Sequence, residues 1–232
     1  MTTSVPGTRL ALFDLDHTLL SGDSDVLWCE FLMDAGLLDR AEFEPRNREM
    51  ARRYGEGSVG AQEFCDFYVA TLSGRSLAEW RPWCERFVAE VVVARIPAAA
   101  QALVEAHRAC GDRLVLTTAT NRVLTEPTAR HLRIDDLLAT EVAFDGVGEA
   151  ARCSGRTLGV PNMREGKLTR MRAWLQAQGL PAAALGRAVF YSDSVNDLPL
   201  LQAVGEPVAV DPDARLRAHA LAAHWRVIDL PR

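Results

Sequence analysis

The features this chain lacks narrow its roles before any motif is considered. No stretch reaches the roughly 18 apolar residues that a membrane-spanning helix needs. The nearest candidate, FVAEVVVARIPAAAQALV, is interrupted by Glu90, Arg95 and Pro97. A secretory leader is not apparent in MTTSVPGTRLALFDLDHTLL, which has no basic opening and whose apolar run Leu10–Phe13 stops at Asp14 and Asp16. The five cysteines, Cys29, Cys65, Cys84, Cys110 and Cys153, are odd in number and form no CxxC pair. They suit reduced thiols in the cytoplasm better than a disulfide framework or a zinc site. An excess of positive charge is missing as well: 26 basic residues face 31 acidic ones, for a net charge of −5. The electrostatic footprint of a nucleic-acid binder is therefore absent. There is no internal repeat and no low-complexity segment. These absences predict a soluble cytoplasmic protein that engages neither membrane nor nucleic acid, and they say nothing of its oligomeric state.

What is present is an ordinary globular composition, 48% apolar and 25% charged over 232 residues, enough for a substantial core. Short apolar runs predict strands at 9–14 (RLALFD), 113–118 (RLVLTT), 188–192 (AVFYS), 207–210 (PVAV) and 225–230 (WRVIDL). Helical patterns lie between them at 98–110, 122–132, 166–178, 196–203 and 214–224. Gly111 directly after AHRAC fits a helix C-cap. The alternation predicts an α/β fold, a doubly wound parallel sheet of Rossmann-like type with helices on both faces.

Two segments break the alternation. Residues 21–94 show amphipathic stretches and no clear strand, and are too long for a loop, so they read as a small all-helical insertion after the first strand. The expected organisation is a core of 1–20 plus 95–232 with a cap of 21–94. The second segment, LLATEVAFDGVGEAARCSGRTL, alternates and turns at Gly146–Gly148, and reads as a hairpin-like excursion.

Chemistry-bearing residues collect at the predicted carboxyl ends of the strands, where open α/β sheets bind ligands. Asp14 and Asp16, two apart, project to one side while the chain stays extended. Such close carboxylates repel unless a cation lies between them or one is protonated. The second strand ends in Thr117, Thr118 and Thr120 with Ala119 and Asn121, and a hydroxyl with successive N–H groups at such a turn can cradle an anion. AVFYSD ends in Asp193, with Asn196 and Asp197 just beyond, and Lys167 opens a helix in REGKLTR. Three acids for a hard divalent cation, a hydroxyl and a lysine for an anion, and one further acid are what phosphoryl transfer requires.

DxDxT (Asp14, Asp16, Thr18), a strand-end Thr118, Lys167 and SDxxND (Asp193, Asn196, Asp197) occur in this order along the chain. The set resembles the haloacid dehalogenase superfamily, and the helical insertion resembles the C1 cap of its phosphoserine-phosphatase-like subfamily. The stretches GDSDVLW, TTATN and YSDSVNDLPLL resemble the bacterial branch that includes histidinol-phosphate phosphatases. The resemblance implies a phosphomonoesterase in which Asp14 forms an aspartyl-phosphate and Asp16 acts as general acid, then base. It implies Mg²⁺ held by Asp14, the Asp16 backbone carbonyl and Asp193. Thr118, the Ala119 N–H, Lys167 and Asn196 would bind phosphate oxygens, and Asp197 would orient Lys167 or a metal-bound water.

Blander roles compete at each position. Asp14 and Asp197 could be helix caps, Thr118 a plain strand residue and Lys167 a solvated one. His17, at the motif's variable position, suits a steric or hydrogen-bonding role. His107, His131, His219 and His224 suit surface or boundary positions, and the tryptophans core packing, though Trp28 follows the motif closely enough to face the pocket. Among other reactions, Asp16 argues against a dehalogenase, and the lack of lysine in 21–94 argues against a phosphonatase. A phosphomutase shares the motifs. A phosphoacceptor receiver domain would be about half this length, and a non-enzymatic binder of phosphorylated ligands would show a lost motif residue.

For the substrate, a small phosphorylated metabolite, the resemblance points to Asp23. In phosphoserine phosphatases an acid nine residues after the nucleophile binds the substrate amine. Asp23 could equally cap the first cap helix, and Asp25 could share either task. The gap-free correspondence of EGSVGAQEFCDFY puts Tyr68 where those enzymes carry a carboxylate-gripping arginine, and no arginine lies between Arg53 and Arg75. The expected substrate is a phosphorylated amine without a carboxylate, histidinol phosphate ahead of phosphoserine.

Overall fold

The computed structural model describes residues 8–232; residues 1–7, the start of the stretch read above as no leader and as core, lie outside it. Seven strands form one sheet: β1 (Leu10–Phe13), β2 (Arg113–Asn121), β3 (Asp136–Asp145), β4 (Arg152–Leu158), β5 (Val189–Ser192), β6 (Glu206–Val210) and β7 (Arg226–Ile228). Their order across the sheet is β4-β3-β2-β1-β5-β6-β7. Every neighbouring pair is parallel except β3–β4. This is the α/β Rossmann-like arrangement the alternation predicts.

β1 lies inside the sheet with all its residues buried, which is why it reads as a continuous apolar run. Its side chains alternate between two cores. Ala11 and Phe13 join Leu116, Val189 and Val208 on one face, while Leu10 and Leu12 join Val115, Phe190 and Leu200 on the other. The second face is covered by α7 (Glu165–Ala177), α8 (Leu198–Leu201) and α9 (Ala214–Ala222). The first is covered by α5 (Ala98–Ala109) and α6 (Arg122–His131).

Between β1 and β2 stand α1 (Ser24–Asp34), α2 (Arg40–Gly55), α3 (Ala61–Val69) and α4 (Leu77–Phe87). Ser76 and Glu79 form a capping box that starts α4, and a π-helical turn, Val88–Val92, leads back to the core. Cys29, Met50, Phe64 and Tyr68 of these helices pack with Met163 and Ala119, so the insertion sits over the sheet's carboxyl edge. No single helix among the described residues is long and apolar enough to cross a membrane, and the FVAEVVVARIPAAAQALV stretch bends by 98°.

Three expectations need correction. The hairpin-like excursion begins as a strand of the main sheet: Leu137 and Leu138 of β3 pair with Leu116 and Thr117 of β2 before the antiparallel turn into β4. Only its outer half alternates, because only that half leaves the buried sheet. β2 runs on to Asn121 instead of stopping at Thr118. The helix expected over 196–203 is a 3₁₀ turn, Val195–Asp197, followed by α8, because Ser194 caps the turn and Pro199 opens the helix.

Candidate active site

The order of strands reverses direction at β1, and the carboxyl ends of β1, β2 and β5 meet there. Asp14 follows β1 directly, its N–H donating to the Tyr191 carbonyl at 3.0 Å. Its carboxylate accepts from Lys167 Nζ at 2.8 Å. The same ammonium donates to Asp197 at 2.7 Å, and the Ser192 hydroxyl donates to Asp197 at 2.7 Å. Lys167 is 2% exposed. Burial disfavours its charge, but Asp14 and Asp197 outweigh that and hold it above the ordinary range. It is also the single lysine among 26 basic residues. That signal was readable in the sequence: a chain that uses arginine everywhere else keeps a compact ammonium here.

Local geometry delivers Lys167 to this point. Gly166 has no room for a side chain, since a Cβ there would lie 2.1 Å from the Pro161 carbonyl oxygen. Asn162 ties the same turn to the sheet, donating to Thr117 Oγ1 at 3.0 Å and to the Thr118 and Leu138 carbonyls at 3.0 and 2.9 Å. Composition gave no hint of this asparagine, whose partners all lie far off in sequence.

Thr18 completes the motif. Its hydroxyl lies 3.4 Å from Asp14 Oδ2 and 3.1 Å from Asp193 Oδ1, and it accepts from the Asp193 N–H at 3.0 Å. Burial, reinforced by Asp197 and Asp16 and opposed by Lys167, pushes Asp14 up to about 7. Burial, then the charges of Asp14 and Asp197, pushes Asp193 well above the usual carboxylate range. One buried and one half-buried carboxylate so disposed form a local excess of negative charge that a hard divalent cation offsets, and with the Asp16 carbonyl they are oxygen donors of the right kind. The residues therefore fit Mg²⁺. The set is two side chains and one carbonyl; among the described residues no group of three His, Cys, Asp or Glu side chains forms a metal cluster.

Asp16 is held as an acceptor on both oxygens. The Ser24 N–H donates to Oδ1 at 2.7 Å, while Thr118 and Thr120 hydroxyls donate to Oδ2 at 3.3 and 2.9 Å. Thr118 and Thr120 share one side of β2, as alternation demands. Thr118 is fully buried, its hydroxyl 3.3 Å from Asp16 Oδ2. Ala119 and Thr120 do line the cavity.

The wall supplied by the inserted helices carries Asp23, Asp25, Tyr54 and Phe64. Asp23 caps α1, accepting from the Val26 N–H at 3.0 Å, and also lines the cavity. Burial and the charge of Asp16 push it up to about 7. Asp25 is buried, its Oδ2 3.2 Å from the Thr120 hydroxyl oxygen and its Oδ1 without a partner. Burial, then Asp23 and Asp16, raises it well above normal. Asn196 also lines the cavity, its Oδ1 accepting from Arg164 at 3.1 Å. His17 stands exposed at φ +56 with its backbone N–H on the Gly22 carbonyl. The cavity itself measures about 40 Å³.

Two aromatic readings are corrected. Tyr68 does not reach the cavity; it is 1% exposed, packed behind Phe64, with its hydroxyl unpartnered. Trp28 belongs to the core, its indole N–H donating to Thr71 at 3.1 Å. Of the histidines, His107 is a boundary residue bridging Asp112 and the Tyr191 hydroxyl at 2.6 and 2.9 Å.

The chain matches the haloacid dehalogenase-like hydrolase family over residues 11–202. It is 37% identical to a histidinol-phosphatase of Neisseria meningitidis serogroup C (strain 8013), over 95% of this chain and 98% of that protein. A phosphoserine phosphatase of Mycobacterium tuberculosis is 31% identical over 96% of this chain and 71% of its own length. A crystal structure of a Bordetella pertussis Tohama I protein of unknown function superposes with a TM-score of 0.89 at 41% identity, covering 97% of this chain and 100% of that one. The phospho-aspartyl intermediate analogue of phosphoserine phosphatase shares the fold, with a TM-score of 0.68 at 14% identity over 97% of this chain and 94% of that one. By that family match and the 37% identity, the chain belongs to the haloacid dehalogenase-like hydrolases and is a phosphatase-type enzyme of that family.

Proposed function

We propose that the protein is a Mg²⁺-dependent phosphomonoesterase working through Asp14, with a cap of residues 21–94 and histidinol phosphate as substrate. The observation that carries this is the buried Asp14–Lys167–Asp197 bridge at 2.8 and 2.7 Å, set beside the hydrogen-bonded Asp16. Lys167 steers phosphate oxygens toward Asp14, with Asn196 beside them. An Asp14 oxygen attacks phosphorus as the ester P–O bond breaks, and Asp16 gives its proton to the departing alkoxide. Asp16 then takes a proton from the water that attacks the aspartyl-phosphate, which releases phosphate and restores Asp14. Asp197 and Thr120 position Lys167 and Asp16. Mg²⁺, when bound by Asp14, Asp193 and the Asp16 carbonyl, neutralises developing charge on the phosphoryl oxygens.

A cavity of about 40 Å³ holds little more than a water, so the cap opens to admit substrate and a small metabolite suits it better than a phosphoprotein. Asp23 offers a carboxylate to the substrate amine, and no arginine lines the chamber over Asp14, the nearest one on a chamber wall being Arg215 in the neighbouring space. The 37% identity to a histidinol-phosphatase supports the same choice. Five free thiols agree with a cytoplasmic location. The test is kcat/KM for histidinol phosphate beside phosphoserine, with and without a chelator. Histidinol phosphate is expected to lead and chelation to stop turnover until Mg²⁺ returns; a preference for phosphoserine overturns the substrate, and chelator-resistant turnover overturns the metal.

A further inference from the structure

Tyr54, on α2, stands where the inserted helices meet the catalytic loops. The cavity over Asp14 and a neighbouring one of about 370 Å³ share His17, Asp23, Tyr54, Asp193, Ser194 and Asn196 in their walls. Tyr54 brings the largest side chain to that shared wall. Its ring lies 4.4 Å from the ring of Phe64 at 29°, and Asn196, on the loop after β5, lines the same two chambers. The ring thus stands against α3 in the wall that the two chambers share with the loop after β5. The inner chamber of about 40 Å³ has no room for an alcohol leaving group. Any ester whose phosphorus reaches Asp14 must extend through this partition, past the Tyr54 ring and Asp23.

We propose that Tyr54, backed by Phe64, is the platform for the leaving group and, with Asp23, selects flat, positively charged leaving groups. The proposal rests on the phosphatase reading above and adds a specificity residue to it. An aromatic face attracts both a second ring and a cation, and Asp23 supplies the matching negative charge from the same wall. Phe64 stacks on Tyr54 and limits the orientations its ring can take, so little freedom remains to be lost on binding. An aliphatic amine engages Asp23 alone, whereas a flat cation engages the carboxylate and the ring together.

The experiment measures kcat/KM for histidinol phosphate and for ethanolamine phosphate, which has the amine without the ring, using the Mg²⁺-loaded wild type, Tyr54→Phe, Tyr54→Leu and Phe64→Leu. The readout is the ratio of the two values in each protein. The ratio is expected to fall about tenfold in Tyr54→Leu, to fall less in Phe64→Leu, and to persist in Tyr54→Phe. A Tyr54→Leu ratio within about twofold of wild type overturns the proposal, whatever happens to the absolute rates, because Tyr54 would then only gate the passage. A Tyr54→Phe ratio as low as that of Tyr54→Leu also overturns it, because the hydroxyl and not the ring would be responsible. Failure of the wild type on both esters defeats the substrate reading separately. In that event the ratio of inhibition by histidinol and by ethanolamine against p-nitrophenyl phosphate hydrolysis, compared across the same proteins, decides the platform.

Discussion

The two walls of the cavity are built on different principles. On the sheet side, Lys167 bridges Asp14 and Asp197, and Thr18 links Asp14 to Asp193. On the side of the inserted helices, Asp23 and Asp25 meet hydroxyl and backbone donors but no cation, and the rings of Tyr54 and Phe64 stand beside them. The first wall carries a buried ammonium held between carboxylates, beside strand ends whose positions the sheet fixes. The second lacks positive charge, which a ligand must bring. On the proposed function, reaction chemistry and leaving-group recognition fall to separate parts of the chain, and substitutions in the two walls should fail in different ways.

The largest effects belong to the sheet wall. Asp14→Asn should lower turnover of every phosphomonoester by about 10⁴-fold or more, because an amide is no nucleophile; near-wild-type hydrolysis of p-nitrophenyl phosphate would refute the mechanism. Lys167→Met removes the cation between two buried carboxylates. It should cost about 3–5 kcal/mol of stability in denaturant unfolding as well as the activity. Unchanged stability would mean that the bridge at 2.8 and 2.7 Å is not formed in solution. Asp16→Asn should slow turnover on the order of 10²–10⁴-fold, with the smallest loss on esters of acidic alcohols that need no protonation. An equal loss on all esters would argue against Asp16 as the acid.

The helical wall should respond to the identity of the leaving group instead. Asp23→Asn keeps the α1 cap, since asparagine caps as well as aspartate, but removes the charge. It should lower kcat/KM about 10–100-fold for amine-bearing esters relative to p-nitrophenyl phosphate. A uniform change would leave Asp23 as a cap alone.

The same division explains what the sequence could reveal. DxDxT and SDxxND are local patterns at strand ends, so Asp14, Asp16, Asp193 and Asp197 could be placed without coordinates. The strands β1, β2, β5, β6 and β7 and their parallel sheet were legible in the apolar runs, whereas their order across the sheet was not. The hydroxyl that meets Asp16 most closely is Thr120, 104 residues away, and no spacing rule connects them. Asn162 was silent for the same reason. The start of β3 was missed because its buried half and its alternating half belong to one strand. Tyr54 was missed because its role depends on where α2 ends relative to the loop after β5.

Tyr68 gives the sharpest test of where one wall stops. Gap-free correspondence brought it to the substrate, whereas the structure buries it one helical turn beyond Phe64 on α3, the two rings 5.0 Å apart. Its hydroxyl is buried with no hydrogen-bond partner, and burial, then the charges of Asp23 and Asp25, hold the phenol well above its ordinary range. A hydroxyl in that position costs the fold a desolvation penalty with nothing returned. Tyr68→Phe removes the oxygen and keeps the packing. It should raise stability by up to about 1 kcal/mol, an increase readable in thermal or denaturant unfolding, and should change kcat/KM for histidinol phosphate by less than about twofold. A large loss of activity on that ester with stability unchanged would return Tyr68 to the cavity, and would move the boundary of the helical wall one turn along α3.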